Sequence, residues 1–167
     1  MKEILEKISS YNIFNNLLPG IIFVLIAKYT TQYDFIQSEI ITGLCLYYFI
    51  GLVISRIGSV IIEKILELVK LKKKRTEKEY CEYIEASKKD EKISLFLEIN
   101  NMYRTFCAMG VVLLLLKLYE FCSEKIQLNN TITQIILIAL LVILFCLSYL
   151  KQTNYSDKRI KASKRDN

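Results

Sequence analysis

Apolar residues gather into four long runs along the chain, and charged residues fill the segments between them. The runs are nearly free of charge and cover residues 17–27, 40–55, 106–116 and 135–150. A helix needs about 20 mostly apolar residues to cross roughly 30 Å of hydrocarbon, because each residue rises about 1.5 Å. With their flanks, the runs predict four membrane-spanning helices at Leu18–Tyr33, Ile40–Ile62, Thr105–Cys122 and Ile132–Leu150.

The residues before the first run have a helical pattern of their own. One side of this segment is apolar and holds Ile4, Leu5, Ile8 and Tyr11. The other side is charged, which is typical of an amphipathic helix lying on a membrane surface. Pro19 is the single proline, and proline suits the first turn of a helix. We therefore interpret 1–16 as an interfacial helix that turns into the bilayer at Pro19, and 17–62 as a first transmembrane hairpin.

Residues 63–104 are strongly charged and contain neither glycine nor proline. Their apolar positions predict two helices joined near Ser87–Lys92, which together form a helical hairpin outside the membrane. Residues 105–150 form a second transmembrane hairpin, and 151–167 form a basic tail. The predicted fold class is an all-α membrane protein with four transmembrane helices, an N-terminal interfacial amphipathic helix and a cytoplasmic helical hairpin between spans 2 and 3.

The distribution of positive charge predicts the orientation. The chain has 23 Lys and Arg against 17 Asp and Glu. Twenty of these basic residues belong to segments on the same side of the membrane as both termini and 63–104. Three belong to the other side: Lys28, Lys117 and Lys125. Because Lys and Arg mark cytoplasmic loops, we expect a bacterial inner-membrane protein with both termini inside. A cleaved signal peptide is the alternative for the first run, but no small-x-small site follows it.

The second span carries a stripe of small side chains. Gly51, Ser55 and Ser59 recur every four residues, and Gly43 and Gly58 lie close to that face. Such a stripe lets another helix approach closely. The packing helix belongs either to the same chain, which we favour, or to a second copy in a homo-oligomer.

Basic residues around the first arm of the hairpin form a second candidate site. They are Arg56, Lys70, Lys72, Lys73, Lys74 and Arg75. Each basic residue near an anionic leaflet contributes about 1 kcal/mol, so contact with membrane lipids is the first interpretation and a soluble cytoplasmic partner the second. Nucleic acid is not expected, because glutamates follow at once and no nucleic-acid-binding signature accompanies the bases. At the other side of the membrane, Lys117 and Glu120 have the spacing of a solvated surface pair.

Residues that most enzymes depend on are missing. The chain has no histidine, which removes the usual general base and the commonest metal ligand. Its five glycines form no phosphate loop, and its five cysteines have no metal-ligand spacing. We therefore expect no catalytic residue, no metal and no cofactor. A proton-coupled transporter is disfavoured as well, because no ionisable group lies at mid-membrane.

The segment Ser10–Gly20 reads SYNIFNNLLPG, about a tenth of the chain. This opening resembles that of a group of small bacterial multi-span membrane proteins, some of which are associated with anti-phage defence. The matching positions are Tyr11, Asn12, Asn15, Pro19 and Gly20. The resemblance implies a polar turn at the interface, in which Asn side chains bond freed backbone groups. It also implies a membrane-acting effector or a membrane component of a defence system.

Two functions are thus open. In the first, the chain is an oligomeric effector whose spans form a pore or disrupt the bilayer when the hairpin receives a signal. In the second, it is a non-conducting anchor or accessory subunit that recruits a soluble partner through 63–104. The small-residue stripe permits the effector, and the resemblance favours it. Aromatic residues expected to be exposed on the hairpin suit the anchor: Tyr80, Tyr83 and Phe96.

Overall fold

Helix suits this chain because Leu, Lys and Glu favour it, proline occurs once, and an apolar span must pair its backbone groups within itself. The structure is a computed structural model that describes the backbone of residues 12–73, 76–126 and 130–165. Side chains are described for the same ranges except 124–126, 130 and 162–165. Within these ranges the chain forms helices and connecting turns and no strand. The prediction of an all-α fold is therefore confirmed.

Within the described ranges, six α-helices and two π-helical turns follow one another. A π-helical turn at Ile13–Leu17 leads into α1 (Leu18–Thr30), and a second at Gly58–Ile62 joins α2 (Ile40–Ile57) to α3 (Glu63–Leu68). Beyond a turn come α4 (Glu77–Lys89), α5 (Glu91–Ile126) and α6 (Asn130–Arg165). Thr76 and Glu79 form a capping box that begins α4.

Four of the described helical stretches are long and apolar enough to cross a membrane, as the sequence predicts. They are Ile13–Thr30, Ile40–Leu68, Glu91–Ser123 and Thr131–Lys161, which we call the first to fourth spans. The end of the bundle that holds Arg104 and Lys151 is called the basic end. The loop between α1 and α2 lies at the opposite end.

The segment 63–104 has the predicted helix junction within Ser87–Lys92, since α4 ends at Lys89 and α5 begins at Glu91, but it is not a hairpin separate from the spans. Its first helical part, α3, continues from the second span, and its last part belongs to α5, which runs without a break into the third span. Only α4 is a separate helix. Its end and the start of α5 meet at Asp90, whose carboxylate accepts from the backbone N–H of Lys92 at 2.9 Å. The composition changes at residue 104, but nothing in the sequence there stops a helix.

The basic tail is also more ordered than its composition indicates. Residues 151–165 continue α6 as helix. Together with α4 and residues 91–103 of α5 they form a group of helices beyond the basic end, which we call the helical layer. The helix α4 packs on both α5 and α6 in this layer, and Ile84 of α4 is buried there.

The start of the first span differs from the predicted turn at Pro19. The backbone is helical from Asn12 through Leu18, and Pro19 lies inside one continuous helix. Proline donates no backbone hydrogen bond, and Pro19 stands in the first turn of α1 directly after the π-helical turn. Residues 1–11, which carry most of the predicted interfacial helix, lie outside the described residues.

The first and second spans cross with their backbones almost touching. A methyl group built on Gly20 would lie 1.8 Å from the carbonyl oxygen of Tyr47, and one built on Gly51 would lie 1.7 Å from that of Asn16. No side chain fits at either position, so glycine is required at both. The small-residue stripe of the second span therefore packs within the chain at this crossing.

The first three spans form the packed core of the bundle. Its buried apolar side chains are Phe23, Val24, Ala27, Ile54, Ile62, Ala108 and Met109. The fourth span lies beside this core and contributes little to it. In its most apolar stretch 11% is buried, against 39% in the first span. Most of its aliphatic surface is therefore left for lipid or for another protein.

The loop at the opposite end folds back over the bundle. Phe35 packs against Phe23 with ring centroids 6.1 Å apart, and Asp34 pairs with Lys28 at 3.3 Å. The pKa of Asp34 lies below its usual range because its carboxylate accepts from the backbone N–H of Ile36, with Lys28 adding to the effect. These contacts close the loop over the first span.

Candidate functional site

A buried glutamate forms the centre of the candidate site. Glu63 follows directly on the π-helical turn of the second span and is 8% exposed. A π-helical turn adds a residue to the helix and rotates everything after it, which is why such turns often occur at functional sites. Ser59, four residues earlier and inside that turn, is buried as well. The second span thus presents a carboxylate and a backbone carbonyl toward its neighbours.

Three cations from three separate segments surround the Glu63 carboxylate. Lys151 of the fourth span donates to Oε2 at 2.6 Å and to the carbonyl oxygen of Ser59 at 2.5 Å. Arg104 of the third span donates to Oε2 at 3.3 Å, and Lys72 binds Oε1. The cluster therefore ties the basic ends of three spans together.

The turn after α3 brings Lys72 to this cluster. Lys70 adopts a left-handed backbone with φ of 60°, a conformation that favours glycine and is strained for lysine. The turn is closed by the N–H groups of Leu71 and Lys72, which both donate to the carbonyl oxygen of Leu66, at 2.9 and 3.0 Å. As a result the chain reverses, and Lys72 returns to the level of Glu63.

An aromatic pair connects the cluster to the helical layer. The ring of Tyr155, one turn beyond Lys151 on α6, lies with its centroid 5.8 Å from Lys151 Nζ. On its other side Tyr155 packs against Tyr80 of α4 at 6.3 Å between centroids. A cation over an aromatic face is a favourable contact. Tyr155 thus joins the separate helix α4 to the charge cluster.

The charges of this site do not cancel. One carboxylate faces three cations, which leaves an excess of two positive charges. Counting Glu67, one turn further along the second span, reduces this excess to one. Arg104 also has a buried Nε without a hydrogen-bond partner among the described residues. Buried charge is stable only when it is paired. The arrangement holds helices together and has donors left for a further anion.

Residues of the small-residue stripe lie in different surroundings. Gly51 packs on the first span as described, and Gly58 faces the third span, where an added methyl group would meet Arg104 and Ala108. Ser55 and Ser59 are both buried. Gly43 contacts the Tyr47 ring of its own helix. The stripe therefore packs against two neighbouring spans of the same chain.

The predicted basic site is mostly dispersed. Of the basic run, Lys72 joins the cluster, while Lys70 and Lys73 are exposed and Lys74 and Arg75 lie outside the described residues. Arg56 is half-buried, with an Nε that lacks a hydrogen-bond partner among the described residues. Of the four described residues of this predicted site, only Lys72 is paired with Glu63.

The N-terminal motif is helical where the structure describes it. Tyr11 lies outside the described residues. Asn15 and Asn16 are buried between helices, and Asn16 donates to the side chains of Asn12 at 3.4 Å and Tyr48 at 3.5 Å. The Asn16 amide thus bonds side chains rather than freed backbone groups, so the motif forms part of the packing against the second span.

Sequence reasoning missed Glu63, Arg104 and Lys151 as a site. Each of them stands at the boundary between an apolar span and a charged segment, and this shared position was the available signal. Charges at such boundaries commonly extend into the headgroup region instead. The pairing becomes apparent only when the three helices are packed side by side.

A second buried carboxylate at the opposite end corrects the interpretation of the Lys117 and Glu120 pair. Glu120 is 5% exposed, so the pair is not simply solvated. It accepts from Lys117 Nζ at 2.8 Å and from the backbone N–H of Gln32 at 2.5 Å. The contact fastens the loop between the first two spans to the third span.

Comparisons with known proteins do not assign a function to these contacts. No protein-family model matches the chain, and neither the curated proteins nor the solved structures provide a match. Among the described residues no group of His, Cys, Asp or Glu could hold a metal ion. The function is therefore argued from the geometry of the chain itself.

Proposed function

We propose that this chain is an integral membrane protein that holds a helical platform at the cytoplasmic face of a bacterial inner membrane for a soluble partner. The observation that carries the proposal is the continuity of α5 and α6. Each has 36 residues, or about 54 Å of helix, against roughly 30 Å of hydrocarbon. About 24 Å of each helix, roughly two fifths of its length, therefore extends beyond the hydrocarbon as a continuation of a span.

The projecting part has the composition of a binding surface. Phe96 and Tyr103 of α5 are each 61% exposed, and Tyr103 lies seven positions after Phe96, so they share one face of the helix. Exposed aromatic side chains are enriched at protein interfaces. Tyr80 and Tyr83, which the sequence indicates as exposed, are half-buried instead. The surface we propose for the partner is therefore the Phe96 and Tyr103 face of α5.

The orientation rests on charge. By sequence, 20 of the 23 Lys and Arg belong to the segments that the predicted topology assigns to one side of the membrane. Short basic segments stay in the cytoplasm, which puts both termini and the helical layer inside. A place in an anti-phage defence system is supported by the resemblance of Ser10–Gly20 alone.

An oligomeric membrane-acting effector is the second candidate. It is favoured by the fourth span, which is largely exposed. Its exposed aliphatic face extends over Ile135, Ile136, Leu137, Ile138, Leu140, Val142 and Ile143. That face offers a surface for another copy. A conducting pore also needs a polar lining, whereas this face is apolar. The small-residue stripe supports an oligomer less directly, since Gly51 already packs on the first span.

Site-specific photocrosslinking in cells distinguishes the two candidates. A photoreactive amino acid is placed at Phe96 in the proposed surface, or at Leu137 on the fourth span, with Lys78 as an exposed control in α4. The platform proposal expects a discrete adduct with another protein from Phe96 and none from Lys78. The effector expects adducts between copies from Leu137.

Membrane potential is recorded in the same cells during induced expression. A platform protein leaves the potential unchanged while the Phe96 adduct forms. Depolarisation accompanied by adducts between copies at Leu137, with no adduct at Phe96, would reject the platform in favour of the effector. Expression at equal levels in the membrane fraction is checked for every variant.

A further inference from the structure

A groove between the first span and the helical layer lies where the described part of the chain begins. Phe14 and Asn15 form one wall, and the other wall is the face of α5 that carries Leu95, Glu98 and Met102. The groove has a volume of about 250 Å³. On its two sides Phe14 is 52% exposed and Leu95 is 53% exposed. The contact between these two helices therefore continues outward as an exposed apolar surface.

The first span reaches this groove without leaving its helix. Its backbone is helical from Asn12 through Leu18, and Pro19, where the sequence predicts a turn onto the membrane surface, lies inside the same continuous helix. Phe14 and Asn15 already lie beside residues 95–102 of α5, which belong to the helical layer. The chain therefore enters the first span from the helical layer and not from the membrane surface.

We propose that residues 1–11 of the same chain continue the first span as a helix and dock on the groove face of α5. Both helices run from the helical layer toward the opposite end, so they lie parallel. Ile8 precedes Asn15 by seven positions, and Glu91 precedes Glu98 by seven positions. Docking therefore brings Ile8 level with the first turn of α5. The contact lies within one chain and is independent of whether the Phe96 face binds a partner.

The pattern and the length of the segment fit this surface. Ile4, Ile8 and Tyr11 precede Asn15 by eleven, seven and four positions, a spacing that puts them on the helix face of Asn15. Eleven helical residues extend about 16 Å. The stretch of α5 from the groove back to its first residue, Glu91, is about 10 Å long. The segment is therefore long enough to cover this stretch with its apolar face.

Charge favours the same arrangement. Glu91 and Glu98 lie four positions before and three positions after Leu95, so all three share one face of α5. Lys7, the neighbour of Ile8, is level with Glu91 in the docked arrangement. Opposite charges that flank an apolar contact between helices favour one pairing and one orientation. The acidic face of α5 thus suits the basic residue beside the apolar stripe of the segment.

Disulfide cross-linking of the full chain in membrane vesicles tests the proposal, with the five native cysteines replaced by alanine. Ile8→Cys is combined with Glu91→Cys, and the matched control combines Glu6→Cys, on the opposite face of the segment, with Glu91→Cys. We expect oxidation to join Ile8→Cys to Glu91→Cys within one chain and to leave the control pair reduced. Equal cross-linking of the two pairs, or no cross-linking of either, would overturn the proposal. A disulfide between two chains would also overturn it, because the groove would then hold a second copy.

A single tryptophan separates docking on α5 from contact with the membrane surface. The chain contains no tryptophan, so Ile4→Trp reports the surroundings of the segment alone. Its fluorescence is compared in vesicles of phosphatidylcholine with and without brominated acyl chains, which quench a tryptophan that touches lipid. Leu137→Trp, at a position 58% exposed on the fourth span, is the quenched control. We expect strong quenching of Leu137→Trp and little quenching of Ile4→Trp. Equal quenching of the two variants would overturn the proposal, because the segment would then lie in the membrane surface.

Discussion

Glu63 and Lys151, 88 residues apart in the chain, are joined by an ion pair of 2.6 Å at the basic end of the bundle. Lys151 is the main polar link between the fourth span and the rest of the molecule, since that span contributes little to the apolar core. Arg104 and Lys72 complete the arrangement around the same carboxylate. The Glu63 carboxylate therefore fastens the fourth span at the basic end, while Phe145 packs against Phe49 of the second span.

Removal of this charge should destabilise the protein strongly. In Glu63→Ala, three cations lose their shared carboxylate, and a broken buried pair costs on the order of 3 kcal/mol. We expect a clear fall in the thermal unfolding midpoint in detergent. The control is Glu82→Ala, whose partner Lys78 is exposed at 3.9 Å and contributes little. Equal midpoints for the two variants would show that the cluster does not stabilise the bundle.

A single added methyl group at the helix crossing should have a large effect. Gly51→Ala places its Cβ 1.7 Å from the carbonyl oxygen of Asn16, so the first two spans must move apart. Overpacking of this kind costs about 1 to 3 kcal/mol. Gly110→Ala is the matched control, because its Cβ meets nothing within 4 Å, and it should raise stability by up to about 1 kcal/mol. Thermal unfolding of both variants measures the difference, and a stable Gly51→Ala protein would contradict the crossing.

The position of Gly51 at the helix crossing also affects how its variants are interpreted in tests of pore formation. A Gly51 variant that abolishes activity would be explained by damage to the packing between the first and second spans. Substitutions on the fourth span, such as at Leu137, address contacts between copies without touching that crossing.

The contacts of Tyr155 with Lys151 and Tyr80 predict what holds α4 against the bundle. Tyr155→Ala removes the ring that lies between Lys151 and Tyr80, which should loosen α4 by about 1 kcal/mol. Hydrogen exchange of the amides in Glu77–Lys89 should become faster by roughly fivefold. Tyr29→Ala, 83% exposed at the opposite end, should leave this exchange unchanged. Unaltered exchange in both variants would mean that α4 is held by other contacts.

The four spans were predictable because hydrophobicity is a local property of the chain. Long runs of Leu and Ile are unfavourable in water wherever they occur in the chain. Their lengths can be compared with the thickness of the bilayer without knowing which helices pack beside them. The same reasoning placed the end of the second hairpin arm at Arg104, where composition changes. A helix pairs its own backbone N–H and C=O groups in hydrocarbon and in water alike, so a change in composition need not end it, and α5 continues through this boundary.

The candidate site was not predictable in the same way. Lys70, Lys72 and Lys73 look equivalent in sequence, yet only Lys72 reaches Glu63, because the left-handed turn at Lys70 sets its direction. The π-helical turn at Gly58–Ile62 likewise has no plain sequence signal, and it determines where Glu63 points. Packing of the third and fourth spans then decides which of the many cations become its partners.

Cysteine labelling from outside the cell tests the membrane arrangement most directly, and the chain already has the two residues needed. Cys81 lies in α4 of the helical layer, and Cys122 lies near the opposite end of the third span. Variants that retain only one of them are treated with a membrane-impermeant maleimide in intact spheroplasts, with labelling in detergent as the reactivity control. We expect Cys122 to be labelled in intact spheroplasts and Cys81 only after permeabilisation. Labelling of Cys81 in intact spheroplasts would contradict the proposed cytoplasmic platform.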